Sequence, residues 1–242
     1  DAEISFRSPI QLTGNNVCFK NIQMTFSSTN AVGSVPHREI FLAGHSLTLD
    51  NVNTWKKGGL GTGLGGNEAE MFPSVFAGAY PYISESNNMG SHAQLTVVNA
   101  PSKSYGTETV FQNIYLSNSD SEDGYVFKEY NGKATLNLCP NVYVRNGRSE
   151  NGNEPSRVYS VGSQNATIQV RGASSSDRVG EAVFEGDKNT TLTFDNIIVS
   201  KTAIKGDIEV ALSGTTEYTP MGQNVELSSL SLPQGTNMSL VS

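Results

Sequence analysis

Two aspartates stand at equivalent places in a repeated pattern of this 242-residue chain. Asp50 and Asp195 each follow an apolar–x–apolar run and precede an Asn. A pair of carboxylates can act as acid and base on a glycosidic bond. Neither aspartate has a partner carboxylate beside it, and the corresponding positions of the intervening copies are Val98, Gln112, Pro140 and Arg171. The sequence therefore does not favour a catalytic carboxylate pair.

The three histidines are the next candidates for chemistry, and they are His37, His45 and His92. His45 and His92 lie in similar turns that contain glycine, so stacked turns could bring them together as metal ligands. The alternative, which we favour, is that both are exposed turn residues. The chain has no His-Glu-x-x-His and no Gly-x-Ser-x-Gly sequence, so these zinc-peptidase and serine-hydrolase motifs give no support for an enzyme.

An acidic stretch over residues 118–124 offers oxygen ligands for a cation. It reads Asn-Ser-Asp-Ser-Glu-Asp-Gly, in which Asp120, Glu122 and Asp123 carry the carboxylates and Gly124 permits a bend. The spacing is not that of an EF-hand loop, and a solvated turn is the simpler interpretation. Ca²⁺ is the one cofactor that the sequence suggests.

Aromatic side chains occur in the longest interruption of the repeat, an excursion at about 53–94. Trp55, Tyr80 and Tyr82 flank or lie in this stretch. Loops on a rigid scaffold commonly carry binding sites, and exposed aromatic rings can stack on sugar rings. These three residues are therefore predicted to bind a ligand. The alternative is that the segment from Tyr80 to Tyr82 only packs the excursion onto the body of the protein.

The elements that would position these residues are predicted from an internal repeat. A Gly, a few polar residues and then apolar–x–apolar–x–Asn recur at a mean spacing of about 30 residues, as in solenoid proteins. The clear copies are Val17–Asn21, Leu47–Asn51, Leu95–Asn99, Thr109–Asn113 and Leu192–Asn196. The weaker copies begin at Leu136, Ile168 and Val225.

A second apolar strand precedes the Gly in most units. Its copies are Ile10–Leu12, Ile40–Leu42, Val75–Ala77, Val126–Phe127, Val158–Tyr159, Val183–Phe184 and Ile208–Val210. Because alternate residues of a strand point to opposite faces, Val17 and Phe19 are predicted to point inward and Lys20 outward. The Asn after the strand tolerates left-handed backbone, and stacked copies of this Asn could bond one another's backbone. Such short strands gain a continuous core only when the coils stack.

The Gly-x-x-[Val/Leu]-x-[Phe/Leu]-x-Asn-[Val/Ile] rungs resemble those of right-handed parallel β-helix proteins, the pectin-lyase-like architecture. The resemblance covers nearly the whole chain and is specific for architecture rather than for function. It implies an all-β fold, a right-handed parallel β-helix (solenoid) of about eight irregular coils with minimal helix, in which residues 1–242 form a single domain. A β-sandwich is the alternative, since its strands also recur at short spacing.

Composition narrows the classes of partner. Charged residues make up only 16% of the chain and the net charge is −7, so no basic face is predicted to bind nucleic acid. Cys18 and Cys139 are predicted to be several coils apart and unpaired. No apolar run approaches the roughly 18 residues of a membrane span. The Gly-, Ser-, Asn- and Thr-rich texture resembles β-helix modules of large bacterial surface proteins, so the chain is predicted to be a fragment of a larger multidomain protein.

These observations together predict a non-catalytic extracellular adhesion or carbohydrate-binding module of a bacterial surface or secreted protein. The expected partner is a host or environmental glycan or a surface protein. A polysaccharide-active enzyme (a lyase or glycoside hydrolase) on the same scaffold and a passive structural spacer are the alternatives. An enzyme should show clustered acids or bases on one sheet face, and a binder should show an aromatic-rich excursion over a groove. A spacer should show neither.

Overall fold

Strands are the only regular secondary structure in the described part of the chain. The computed structural model describes residues 2–6, 8–26, 38–56, 72–80, 89–101, 107–117, 130–144, 156–173, 178–180, 182–220 and 229–231. These ranges contain the strands given below and no helix. The prediction of an all-β fold with minimal helix is therefore confirmed.

The strands are short and are numbered in chain order. The first eleven are β1 (Ala2–Phe6), β2 (Ile10–Gln11), β3 (Val17–Phe26), β4 (Glu39–Phe41), β5 (Ser46–Asn53), β6 (Trp55–Lys56), β7 (Ser74–Phe76), β8 (His92–Val98), β9 (Thr107–Phe111), β10 (Ile114–Tyr115) and β11 (Lys133–Leu138). The others are β12 (Val142–Val144), β13 (Arg157–Tyr159), β14 (Asn165–Arg171), β15 (Arg178–Gly180), β16 (Val183–Gly186), β17 (Thr190–Asp195), β18 (Ile198–Gly206), β19 (Glu209–Ser213), β20 (Glu217–Pro220) and β21 (Ser229–Ser231).

Two long sheets run along the molecule. The first sheet has nine strands in the order β1-β3-β5-β8-β11-β14-β17-β19-β21. The second has twelve in the order β2-β4-β7-β10-β13-β16-β18-β15-β12-β9-β6, and β20 pairs with β18. The strands pair in parallel, apart from the antiparallel pair of β6 and β9. Because strands of the two sheets alternate along the chain, the molecule is a parallel β-solenoid of about eight coils, as predicted.

The second sheet turns a corner within β18. Residues Ile198–Ser200 of this strand pair with β15, whereas Val183–Gly186 of β16 pair with the later residues Ala203–Gly206. A full coil such as β14, β15 and β16 therefore has three faces. This arrangement places the first sheet and the β4-β7-β10-β13 part of the second sheet on different sides of one core.

Inward side chains of the first sheet form two straight columns. One column contains Leu47, Leu95, Leu136, Ile168, Leu192 and Val210, and the other contains Leu49, Val97, Leu138, Val170, Phe194 and Leu212. All twelve side chains are buried, with at most 5% of the residue surface exposed. Burial of each such side chain stabilises the fold by about 1.5–3 kcal/mol, so the unbroken register holds one coil against the next.

Left-handed backbone occurs, as predicted, at five of the Asn residues that follow rungs, which lie inside strands of the first sheet or shortly after them, whereas Asn113 does not adopt it. The backbone φ angle is positive at Asn21, Asn51, Asn99, Asn141 and Asn196. Asn51 Nδ2 donates a hydrogen bond to Asn21 Oδ1 (2.9 Å), so this stacked pair bonds side chain to side chain and not to backbone. Asn196 does bond backbone, because its Oδ1 accepts the N–H of Thr215 (3.0 Å). These amides fix the direction in which the chain leaves each strand.

Successive coils come very close together at a glycine corner. Gly44 has a φ of 73°, and a Cβ atom built on it would collide with the backbone carbonyl oxygen of Gly90 in the next coil. The N–H of Gly90 donates to the carbonyl oxygen of Ala43 (2.9 Å), which holds the two corners together. At Gly44, glycine is therefore required by this close approach as well as by the positive φ.

Two of the predicted repeat copies belong to the other sheet. Thr109–Asn113 was expected to form a rung of the first sheet, but its strand residues lie on β9 and pair with β12. Ile208–Val210 was expected in the second sheet, but Val210 pairs with Leu192 in the first. Both predictions are wrong because apolar alternation is the same on every face of a solenoid. The copies at Val126–Phe127 and Val225 lie outside the described residues.

Candidate functional site

Outward side chains of the first sheet, from β5 to β19, form a surface that we call the open face. Its middle row contains Thr48, Thr96, Asn137, Gln169, Thr193 and Ala211. The row two residues earlier contains Ser46, Gln94, Thr135, Thr167, Thr191 and Glu209. All of these residues are half-buried or exposed. From β5 to β17 the unbroken register therefore repeats hydroxyl and amide groups every ~4.8 Å along the solenoid, and on β19 the rows end with Ala211 and Glu209.

Neighbouring side chains hold one another in place on the open face. Gln94 Nε2 and Asn137 Nδ2 both donate to the hydroxyl oxygen of Thr96, at 3.0 and 3.1 Å. At the border of the face, His92 Nε2 lies 2.8 Å from Thr135 Oγ1. Because these groups are hydrogen-bonded before any ligand arrives, a ligand that bonded to them would immobilise few additional rotamers.

A charged row borders one side of the open face. Lys20 Nζ lies 2.6 Å from Asp50 Oδ2, and Asn99 Nδ2 donates to Asp50 Oδ1 at 2.8 Å. The hydrogen bonds from Asn99 and then from Lys20 lower the pKa of Asp50 below its usual value, and Asp50 in turn raises the pKa of Lys20. Both groups are therefore held in their charged forms.

The second aspartate of the repeat lies in the same charged row, farther along the solenoid. Arg171 Nε lies 3.0 Å from Asp195 Oδ2, so this carboxylate also has a cation as its neighbour. Asp50 and Asp195 are four strand steps apart, which is roughly 19 Å at ~4.8 Å per step. Glycosidase carboxylates are about 5–9.5 Å apart. The structure therefore stacks these aspartates in one row without forming a catalytic pair.

Outward side chains of the second sheet form a row of aromatic residues. We call Phe41, Phe76, Tyr115 and Tyr159, which are aligned in the register of β4, β7, β10 and β13, the aromatic row. Phe76 stacks on Phe41 with ring centroids 5.0 Å apart and on Tyr115 at 4.9 Å. Phe41, Phe76 and Tyr115 are almost completely buried although they point away from the central core. The outer side of the second sheet is therefore covered where that of the first is open.

The sequence interpretation missed the aromatic row, although the sequence carries a signal for it. Each of the four strands has a β-branched residue directly before the aromatic one, as in Ile40-Phe41, Val75-Phe76, Ile114-Tyr115 and Val158-Tyr159. The β-branched residue points into the central core and the aromatic one points outward. Two apolar residues in succession on a short strand indicate that both sides of the strand are covered.

The half-buried end of the aromatic row, at β13, carries charged groups. The Arg157 guanidinium lies over the Tyr159 ring, 4.9 Å from its centroid, and its Nη1 is 3.4 Å from Glu185 Oε2. Tyr159 contacts Tyr115 edge-on, with centroids 6.3 Å apart. Tyr159 and Glu185 are neighbours in the sheet register, so the row passes from aromatic to charged side chains at β16.

The predicted ligand-binding aromatics lie against different residues of the body. Trp55 on β6 is half-buried and contacts Phe72 edge-on at 5.9 Å. Tyr80 is half-buried against Phe41 of the aromatic row at 5.3 Å, and its N–H donates to Gln11 Oε1 (2.9 Å). The third residue, Tyr82, lies outside the described residues. Binding by these rings stays a prediction, and the described contacts do not join Trp55 to Tyr80.

Of the predicted metal ligands, only His45 and His92 lie among the residues that the structure describes. His45 Nδ1, in the turn before β5, lies 3.1 Å from Asn15 Oδ1, whereas His92 is the first residue of β8 and contacts Thr135, so each histidine has its own neighbour. Within the residues that the structure describes, no group of three or more His, Cys, Asp and Glu side chains could hold a metal ion. Outside these residues lie His37, Asp120, Glu122 and Asp123.

The remaining chemical candidates are the two thiols. Cys18 is exposed on the outer side of β3, whereas Cys139 is half-buried, and neither forms a disulfide. Cys139 Sγ accepts the N–H of Ala100 at 3.3 Å.

Among the described residues there is no helix of the length and apolar character needed to cross a membrane. Compared with protein-family models, with curated proteins and with solved structures, the chain gives no match.

Proposed function

We propose that this protein is a non-catalytic extracellular adhesion module that binds carbohydrate and belongs to a bacterial surface or secreted protein. The observation that carries the proposal is the open face, on which hydroxyl and amide side chains repeat in straight rows over five neighbouring strands, from β5 to β17. These groups both donate and accept hydrogen bonds, as sugar hydroxyls do. Trp55 and Tyr80, which are half-buried, would offer ring surface for stacking on a sugar away from the open face, since Tyr80 packs on the aromatic row.

The finer assignment of the fold is part of the same proposal. A right-handed, pectin-lyase-like helix is supported by the resemblance of the rungs and by the general right-handedness of parallel crossovers. It is also consistent with extracellular use, because the same architecture presents long open surfaces.

A passive spacer is the second candidate function. It is supported by the hydrogen bonds from Gln94 and Asn137 to Thr96, since these side chains satisfy one another without a ligand. A polysaccharide-active enzyme has less support, because roughly 19 Å separates Asp50 from Asp195 by the strand spacing. A spacer and a binder differ in one measurable property, which is selective affinity for a glycan.

A glycan array probed with the purified protein, with and without Ca²⁺, tests the proposal. We expect selective binding to a subset of glycans, weakened by changes on the open face or by Trp55→Ala, Tyr80→Ala or Tyr82→Ala. A requirement for Ca²⁺ would support the predicted ligands Asp120, Glu122 and Asp123. Retention of no glycan under either condition would reject the carbohydrate-binding function and favour a spacer or a protein-binding adhesin.

A further inference from the structure

We infer that the open face binds a neutral, extended polysaccharide chain that lies along the solenoid axis, across the strands. This inference rests on the proposed carbohydrate-binding function and names its ligand class and orientation. It depends on three properties of the open face, which are its dimensions, its charge and the size of its side chains.

The dimensions of the open face favour a ligand along the axis. From Thr48 to Ala211 the middle row crosses five strand steps, or about 24 Å at ~4.8 Å per step, which is room for about five sugar rings. Across the face the two rows are only two residues apart, which is about 7 Å along a strand. A chain in the axial direction would meet a hydroxyl or amide group at almost every ring, whereas a chain along the strands would pass from the two uncharged polar rows to the borders that carry Lys133 and Asp50 after one or two rings.

The charge of the open face favours a neutral ligand. The rows contain the single carboxylate of Glu209 at one end. Along the border, the cations of Lys20 and Arg171 are paired with Asp50 and Asp195, which offsets their attraction for an acidic glycan. Lys133, on the opposite border, is an exposed cation. Because the chain as a whole carries a net charge of −7, a polyanion would also meet long-range repulsion.

The side chains of the open face are short. Thr48, Thr96, Asn137 and Thr193 of the middle row project little above the sheet, and Gln169 is the longest member of this row. Their hydroxyl and amide groups lie close to the sheet, so a ligand could contact several strands at once. Such repeated weak contacts gain affinity with each additional ring that is engaged.

Calorimetric titration with oligosaccharides of different length tests the orientation and the charge preference together. The probes are neutral β-linked gluco- and manno-oligosaccharides of two to six rings, and oligogalacturonides of the same lengths. We expect the Kd for the preferred neutral series to fall about tenfold or more from two to five rings and then level off. We expect oligogalacturonides to bind about tenfold more weakly, with little change in the neutral series between low and high salt.

A matched pair of variants on one coil tests the location. Gln169 lies in the middle row, whereas Gln164 is equally exposed but lies in the turn before β14. Gln169→Ala should weaken binding about fivefold to tenfold, and Gln164→Ala should leave the Kd unchanged. Equal melting temperatures of both variants and the parent would exclude unfolding as the cause.

The outcomes separate failure of the inference from failure of the proposed function. Stronger binding of oligogalacturonides, or an affinity that stops rising at two rings, would overturn the neutral axial ligand and leave a carbohydrate-binding module. Loss of binding in Trp55→Ala with full binding in Gln169→Ala would also leave that function, but would move its site to the excursion. If neither these probes nor the glycan array bind, the proposed function and this inference fail together.

Discussion

The two sheets of this solenoid share one core but differ on their outer sides. In the first sheet the outward side chain of Thr96 is half-buried and polar, and its neighbours in the row are also polar. In the second sheet the outward side chain of Phe76 is fully buried between two other aromatic rings. The inward side chains of both strands belong to the same central cluster. The outer sides therefore distinguish the two sheets, and the inner sides do not.

This difference indicates a division between stability and surface function. Burial of the aromatic row adds apolar area and ring stacking on a second side of the strands, so substitutions there should lower the free energy of unfolding. The open face has side chains that water already reaches, and substitutions there should change binding more than stability. Four predictions follow in order of decreasing effect, and the first tests this division directly.

Truncation of the central ring of the aromatic row should have the largest effect. Phe76→Ala removes a fully buried ring that stacks on Phe41 and Tyr115, so we expect the free energy of unfolding to fall by about 3–5 kcal/mol. Denaturant unfolding followed by circular dichroism measures the change. Thr96→Ala is the matched control on the open face and should cost less than about 1 kcal/mol.

Similar losses in the two variants would contradict the division between the outer sides. A loss below about 1 kcal/mol for Phe76→Ala would show that the aromatic row contributes little to the free energy of unfolding. A large loss for Thr96→Ala would show instead that the hydrogen bonds from Gln94 and Asn137 hold the first sheet together.

The comparison of the sheets also explains how much of the fold the sequence predicts. The Gly and Asn residues that frame each rung mark real corners, because Gly44 and Asn51 both adopt positive φ angles. Apolar alternation between them correctly predicts which side chains of the first sheet are buried. It does not identify the face on which a strand lies, which is why Thr109–Asn113 and Ile208–Val210 were predicted in the wrong sheets.

The candidate site is less predictable because exposure depends on residues that are distant in sequence. Tyr80 packs on Phe41 of another strand, and no local pattern at either residue predicts that contact. The open face is the reverse case. The alternation that predicts an outward Lys20 applies to its polar residues as well, but only the register shows that Thr48, Thr96 and Asn137 form one continuous row.

Removal of one hydroxyl beneath the corner of the open face should have the second-largest effect. The buried Tyr130 OH accepts the N–H of Ala93 (2.7 Å) and donates to the carbonyl oxygen of Lys133 (2.6 Å), so it ties β8 to β11. Tyr130→Phe leaves both backbone groups without this partner. We expect the free energy of unfolding to fall by about 1–3 kcal/mol, measured by denaturant unfolding.

The control for this prediction is Tyr143→Phe, since Tyr143 is half-buried on β12. It should cost less than Tyr130→Phe. Faster hydrogen exchange at Ala93 in Tyr130→Phe, but not in the control, would locate the effect at the corner. Equal stability of the two variants would mean that the Tyr130 hydroxyl does not stabilise the pairing of β8 with β11.

A substitution that strains the backbone at the end of a rung should lower the stability by a smaller amount. Asn51 has a φ of 53° and its amide donates to Asn21 Oδ1. Asn51→Ala places a residue that disfavours left-handed backbone there, and we expect a loss of about 1–2 kcal/mol. Asn51→Gly removes the same amide but tolerates the backbone, so it should be the milder change. Thermal unfolding of the two variants separates strain from the lost hydrogen bond, and a more stable Asn51→Ala would reject the strain argument.

The smallest effect concerns the charged border of the open face. Hydrogen bonds from Asn99 and Lys20 lower the pKa of Asp50, so the ionised form contributes stability above the ordinary aspartate pKa of 3.8. That contribution should disappear as the pH falls below 3.8 through the lowered pKa. NMR titration of the Asp50 carboxyl should therefore give a value below 3.8, and Asn99→Gly, which keeps the left-handed backbone possible, should raise it. An Asp50 pKa that Asn99→Gly leaves unchanged would mean that Lys20 alone holds the carboxylate. Because the pair lies at the water-exposed border, the melting temperature should change far less with this protonation than with Phe76→Ala.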